Sequence, residues 1–149
     1  MWLILGCGYS TRSLLPSHLK TVAIASVENS TTQPGLSEDL NLTLLKTFIA
    51  DRNLRVTSSQ QADLSLAVKV VGYSRSAAAY DANQNISAYE ITLTANFDAF
   101  DQVRNENFFS GTAISRVVYD PNSKQEEDVR QEAIEKLSKE IVRQVLTAW

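Results

Sequence analysis

Two stretches of strict alternation decide what this chain can fold into. Leu64, Leu66, Val68 and Val70 are separated by Ser65, Ala67 and Lys69, and Ile91, Leu93, Ala95, Phe97 and Ala99 by Thr92, Thr94, Asn96 and Asp98. A period of two sends successive side chains to opposite faces of a strand, so each stretch has one apolar and one wet face. Such strands belong in an antiparallel sheet with one side packed and the other solvated. The residues between them are polar and centre on 80–85, which makes the pair a long hairpin reaching beyond the core.

The flanking segments complete a layered plan. Residues 20–27 alternate Val22 and Ile24 with smaller neighbours, as a half-buried strand does, and a polar loop over 28–35 ends in the turn signal Pro34-Gly35. Leu40, Leu44, Leu45, Phe48 and Ile49 then recur at helical spacing, which predicts a helix over 37–51. Ser37 is its expected N-cap, and Glu38 and Asp39 stand in the first turn, where the helix dipole favours them. A short strand is expected over 54–57 and a longer one over 107–119, carrying Phe109, Ile114, Val117 and Tyr119.

The closing segment is a second helix. Val129, Ala133, Leu137, Ile141 and Val145 recur every four residues, with Ile134 and Leu146 widening the stripe. It should run over 124–147, with Ser123 and Glu126 forming a capping box. By the layer rule the fold class is α+β: a two-layer sandwich, two helices packed on one face of a mainly antiparallel sheet of about four strands with a long hairpin.

Composition and residue types restrict the function. With 14 Lys and Arg against 17 Asp and Glu the formal charge is -3, which argues against a nucleic-acid partner. The one histidine, His18, has no evident partner and reads as a surface residue. A Ser-His-Asp triad would have to use it, and the sequence has no Gly-x-Ser-x-Gly elbow and no glycine-rich phosphate loop. Glu126, Glu127 and Asp128 are explained by their place at a helix start. No enzyme activity, catalytic residue, metal or cofactor is therefore expected.

Cys7 is the only cysteine, so an internal disulfide or a cysteine-based metal site is not available. The apolar run before it is far shorter than the about 20 residues a membrane-spanning helix needs. An apolar segment ending at a small residue marks a processing site, and Ile4-Leu5-Gly6-Cys7 resembles a bacterial lipobox. On that reading residues 1–6 are the remnant of a lipoprotein signal peptide, Cys7 is the lipidated amino terminus, 7–18 form a tether and 19–149 a single α+β domain. A thioether-linked diacylglycerol with a further N-acyl chain gives stable attachment where one chain gives marginal binding. The alternative is a small apolar residue in an N-terminal strand.

Binding is left. The hairpin tip, residues 75–83, is small, polar and aromatic, suited to a mobile loop or to docking against another protein. Arg75, Arg116 and Lys124 are candidate cations for an anionic ligand through charge-assisted hydrogen bonds.

Taken in order, Cys7-Gly8-Tyr9, Arg12, Leu14-Leu15-Pro16, the run from Lys20 to Ile24, Val27-Glu28-Asn29, Pro34-Gly35-Leu36, Ala62-Asp63-Leu64, Ala88-Tyr89-Glu90, Phe109-Ser110-Gly111 and the terminal Trp149 resemble the LptE-like lipopolysaccharide-assembly lipoproteins. The resemblance covers essentially the whole chain. It implies a two-helix, four-stranded sandwich tethered by a lipid to the inner leaflet of the outer membrane, on its periplasmic face. It also implies a non-catalytic plug inside the LptD β-barrel that helps lipopolysaccharide reach the outer leaflet. Family members contact lipopolysaccharide through basic residues in the hairpin and just before the last helix, which carries over to Arg75 and Lys124, with Arg116 nearby. The arginine expected close before Tyr89 is absent, replaced by Asp81 to Asn85. Tyr80, Asp81, Asn83 and Tyr89 are the expected partner contacts. A stand-alone periplasmic lipoprotein binding a small or amphiphilic ligand between sheet and helices is the competing reading.

Overall fold

The computed structural model describes residues 14–148, and Cys7 and residues 1–6, expected to be a signal-peptide remnant, lie outside them. The elements run β1 (Thr21–Asn29), α1 (Leu36–Asp51), β2 (Arg55–Val56), β3 (Leu64–Tyr80), β4 (Ile86–Asp101), β5 (Glu106–Tyr119) and α2 (Glu126–Leu146). They form an α+β sandwich whose single sheet has the order β2-β1-β3-β4-β5. The three long strands are antiparallel, as their alternation predicts. β1 lies parallel to both neighbours, since α1 carries the chain back before β2 pairs with it. The sheet has five strands, not four, because the two-residue β2 is fastened by the Arg55 amide to the Lys20 carbonyl and the Thr57 amide to the Val22 carbonyl, each at 3.0 Å.

Both helices pack on the apolar face of the sheet, α1 over β1 and β2 and α2 over β4 and β5. The core between them is continuous, from Leu40, Leu44 and Phe48 through Leu66, Leu93 and Phe97 to Ile134, Leu137 and Ile141. Gly111 leaves room for Gln144 of α2 to reach the Thr112 carbonyl of β5. A Cβ there would lie 2.7 Å from Phe97 Cζ and 2.8 Å from Gln144 Oε1.

Tertiary packing moves both helix starts from the positions their local signals predict. Ser37 does not cap α1, and its hydroxyl donates to the Glu38 carboxylate at 2.9 Å. The helix begins one residue earlier because Leu36 is buried, and Gly35, left-handed at φ 83°, turns it inward. Ile49, predicted on the packed stripe, is 63% exposed, since the buried face of α1 runs through Leu36, Leu40, Thr43, Leu44 and Phe48. The capping box before α2 does not form. The Ser123 hydroxyl donates to the Asp120 carbonyl at 3.1 Å in the preceding turn, while the Glu126 carboxylate is taken by Tyr73 and Arg75.

The hairpin is longer than predicted. Residues 75–80, expected in the tip, are the last rungs of β3, paired to 86–91 through bulges that skip Ala78 and Ser87. The turn shrinks to residues 81–85, held by Asp81 Oδ1, which accepts the amides of Asn83 and Asn85 at 2.8 and 2.9 Å. β5 stops opposite Tyr89, and beyond that rung residues 78–87 are all exposed.

At the opposite end the incoming chain is pinned. Leu19 is buried, and the amides of Lys20 and Thr21 donate to Asp63 Oδ2 at 2.9 and 3.1 Å. His18 has a partner after all: its Nε2 lies 2.5 Å from Oδ2 of the buried Asp101, so the ring is half-buried and not a free surface group.

Among the described residues one buried side-chain group is unsatisfied. Ser138, fully buried on α2, has a hydroxyl without a hydrogen-bond partner. Removing an unpaired buried polar atom relieves its desolvation cost, so Ser138→Ala should raise stability by about 1 kcal/mol. In denaturant titration the midpoint should rise while the m-value stays constant.

Candidate functional site

A connected set of polar and aromatic side chains sits at the base of the projecting hairpin. After the bulge at Val71, Tyr73 and Arg75 continue β3 on the helix face, opposite Leu93 and Ile91. Across the sheet Tyr89 pairs with Tyr119, their rings 6.1 Å apart. Arg75 lies over the Tyr89 ring, 3.6 Å from its centroid, where the ring's negative face attracts the cation. Its Nε donates to the Tyr119 hydroxyl at 2.8 Å and stands 3.3 Å from Glu126 Oε2 at the start of α2. The Tyr73 hydroxyl donates to Glu126 Oε1 at 3.2 Å.

The electrostatics are self-consistent. The Tyr119 hydrogen bond holds the Arg75 guanidinium above its ordinary pKa, with Glu126 adding to the effect. Burial raises the Tyr73 phenol, and the Glu126 charge raises it further. Tyr73 thus stays a neutral donor and Glu126 its acceptor. The arrangement is a latch, in which the first turn of α2 grips β3 at the rung where the hairpin leaves the body of the domain.

The three candidate cations are not brought together. Arg75 is on the helix face, engaged in the latch. Arg116 is on the opposite, open face, across from Thr92 and between the exposed Ile114 and Val118. Lys124 stands before α2 with its Nζ on Glu132 at 3.0 Å, a bond that holds the Glu132 carboxyl below its ordinary range. Of the expected partner contacts, Tyr80, Asp81 and Asn83 are exposed at the tip, whereas Tyr89 is half-buried under Arg75. Sequence reasoning missed the roles of Tyr73, Tyr119 and Glu126. The only available signal was that Tyr73 and Arg75 share a face by period two.

Among the described residues no group of three or more metal-ligating side chains clusters, and no helix is long and apolar enough to cross a membrane. Residues 19–149 match the family profile LptE, described as lipopolysaccharide-assembly. No curated protein sequence matches the chain significantly. Several solved structures share the fold. A minor lipoprotein from Acinetobacter baumannii is 16% identical with a TM-score of 0.55, covering 87% of this chain and 92% of its own. The PelC dodecamer subunit from Paraburkholderia phytofirmans is 14% identical with a TM-score of 0.58, covering 87% and 89%. Lipoprotein B from Nitrosomonas europaea is 10% identical with a TM-score of 0.58, covering 86% and 83%.

Two predictions follow from this geometry. Arg75→Met should cost about 1 to 2 kcal/mol, the sum expected for a cation–π contact and a charge-assisted hydrogen bond at a partly exposed site. Hydrogen exchange should quicken in residues 76–89 while the core strands stay protected. Arg75→Lys should not restore protection, because an ammonium cannot stack and fork as a guanidinium does.

The second concerns acid. Burial alone would raise the Asp101 carboxyl, yet the His18 hydrogen bond and the amides of Arg104 and Val103 outweigh it and hold it below the ordinary value. A carboxyl with a lower pKa folded than unfolded stabilises the fold above its unfolded pKa, and that stability is lost as pH falls through the lowered folded value. Asp101→Asn should therefore be less stable at pH 7 and show a shallower loss below about pH 4, measured by denaturation across pH.

Proposed function

We propose that this chain, which belongs to the LptE lipopolysaccharide-assembly family, is an outer-membrane lipoprotein that plugs the LptD β-barrel and assists lipopolysaccharide transport to the outer leaflet. The observation that carries the reading is the hairpin beyond Tyr89, whose exposed residues 78–87 have neither a third strand nor a helix beside them among the described residues. A barrel lumen is polar, and an insert into it must present hydrogen-bonding groups. Asp81, Asn83, Asn85 and Ser87 do so, with the 64% exposed Tyr80 as an aromatic anchor.

On this reading Tyr80, Asp81 and Asn83 contact the barrel wall, and Tyr89 supports them from below through the latch. Arg116 and Lys124 offer charges to lipopolysaccharide, while Arg75 serves the ligand chiefly by holding the hairpin upright. Cys7 carries the lipid that fastens the protein to the inner leaflet of the outer membrane, on the periplasmic face. Two of the compared structures, from Acinetobacter baumannii and Nitrosomonas europaea, are themselves lipoproteins, which supports that anchor. The role needs no catalysis. A ligand seated between sheet and helices receives no support, since Phe48, Phe97, Ile134 and Leu137 fill that layer.

The test is affinity purification of the tethered protein from gently solubilised outer membranes, followed by mass spectrometry. A large β-barrel protein should accompany it in roughly equal amount. Recovery of the lipoprotein alone, from membranes shown to contain the barrel, overturns the plug.

A further inference from the structure

The lane that β1 occupies beside β3 is empty beyond Asn29, on the side toward the hairpin. β1 pairs with β3 as far as Asn29 and Val70, and the Ser30 amide adds a last bond to the Val70 carbonyl at 2.9 Å. The chain then turns back on itself. Thr31 donates its amide to Asn29 Oδ1 at 3.0 Å, and Asn29 Nδ2 donates to the Gln33 carbonyl at 2.6 Å. β3 continues to Tyr80 with β4 alone beside it among the described residues.

The backbone groups facing this empty lane are fixed from both edges of the sheet. The Val70 carbonyl points toward β1, since Ser30 reaches it, and Val71 is skipped by the ladder. Alternation then turns the amides and carbonyls of Tyr73, Arg75 and Ala77 outward. From the other edge, Thr112 directs its carbonyl away from β4, to Gln144. Ala113, Ser115 and Val117 therefore bond Ala95, Leu93 and Ile91. That leaves Thr94, Thr92 and Glu90 to bond Gly72, Ser74 and Ser76, and Tyr73, Arg75 and Ala77 again face out. Among the described residues no strand, turn or side chain bonds their main chain from that side.

An open edge is a template for another strand, and proteins ordinarily defend it with charge, proline or a covering segment. The free edge of β5 is defended. Gln144 Nε2 donates to the Thr112 carbonyl at 3.1 Å, and the exposed Arg116 stands between Ile114 and Val118. The edge over 72–77 has no such guard. Its only charged residue, Arg75, is drawn across the ladder to the Tyr89 ring and the Tyr119 hydroxyl, and the stretch contains no proline or lysine.

We infer that β3 from Gly72 to Ala77 is a strand-addition site, on which an extended loop of the barrel partner pairs main chain to main chain in the lane beyond β1. The occupant is a loop because the wall strands of a closed barrel are already paired on both sides. The inference rests on the plug reading and deepens it, since backbone hydrogen bonds then supply part of the affinity. The lane runs directly into the exposed ribbon that begins at residue 78, so one partner meets both.

The test measures amide exchange residue by residue in the full chain, alone and copurified with its barrel from gently solubilised outer membranes. Tyr73, Arg75 and Ala77 should exchange fast in the isolated chain and slow by about a hundredfold in the complex, as amides entering a ladder do. Ser74 and Ser76, already bonded to β4, should change far less. Ala77→Pro removes an outward amide that the free fold does not use. It should melt as the wild type does and recover about tenfold less barrel, whereas Ala77→Ser keeps the amide and should recover the wild-type amount. Unchanged exchange at Tyr73, Arg75 and Ala77 in a complex that contains the barrel overturns the inference and leaves the plug standing. So does an equal gain at Ser74 and Ser76, or wild-type recovery by a folded Ala77→Pro. Protection already present in the isolated chain and lost on dilution assigns the lane to a second copy and also overturns it. Absence of a barrel from the wild-type preparation overturns the plug, and this inference with it.

Discussion

The β3–β4 ladder has one apolar face, and the need to cover it places every other element. Leu64, Leu66, Val68 and Val70 face the same way as Ile91, Leu93, Ala95, Phe97 and Ala99, and all are buried. Both amphipathic helices must lie on that side, so the other side of the sheet stays open. The helices cover only the lower part of the ladder, since α2 begins beside Tyr73 and Arg75. What extends past them is a two-stranded ribbon, a structure that is marginal alone in water. Its junction with the body needs reinforcement, and the Arg75 latch supplies it where backbone pairing to a third strand ends.

The latch also explains why a strong local signal went unused. Ser123 and Glu126 have the spacing of a capping box, but a glutamate has one carboxylate. Here it bonds the phenol of Tyr73 and the guanidinium of Arg75 instead of a helix amide. A cap contributes about 1 kcal/mol to one helix end, whereas the tertiary contact joins α2 to the hairpin. Carboxylates are used for tertiary fastening again at Asp63 and Asp101, which accept backbone amides at the start of β1 and in the β4–β5 turn.

The two ends of the domain are accordingly built for different surroundings. One is a projecting ribbon whose exposed turn carries Tyr80, Asp81, Asn83 and Asn85, and the other is closed by the β4–β5 turn, with Lys20, Arg52, Arg55 and Arg104 exposed around it.

The sequence by itself determined the fold class, the order of elements, the face that β3, β4 and α2 would bury, and the family. Those follow from periodicity among near neighbours, because backbone geometry repeats every two or 3.6 residues whatever the rest of the chain does. Only the tertiary structure decided that β1 runs parallel between its neighbours, that Ile49 faces water, and that Arg75 is engaged while Arg116 looks the other way. It alone joined Arg75 to Tyr119, Tyr73 to Glu126 and His18 to Asp101, pairs separated by 44, 53 and 83 residues. Contacts at such separations depend on the register of strands and the docking of helices, and no local pattern carries that information.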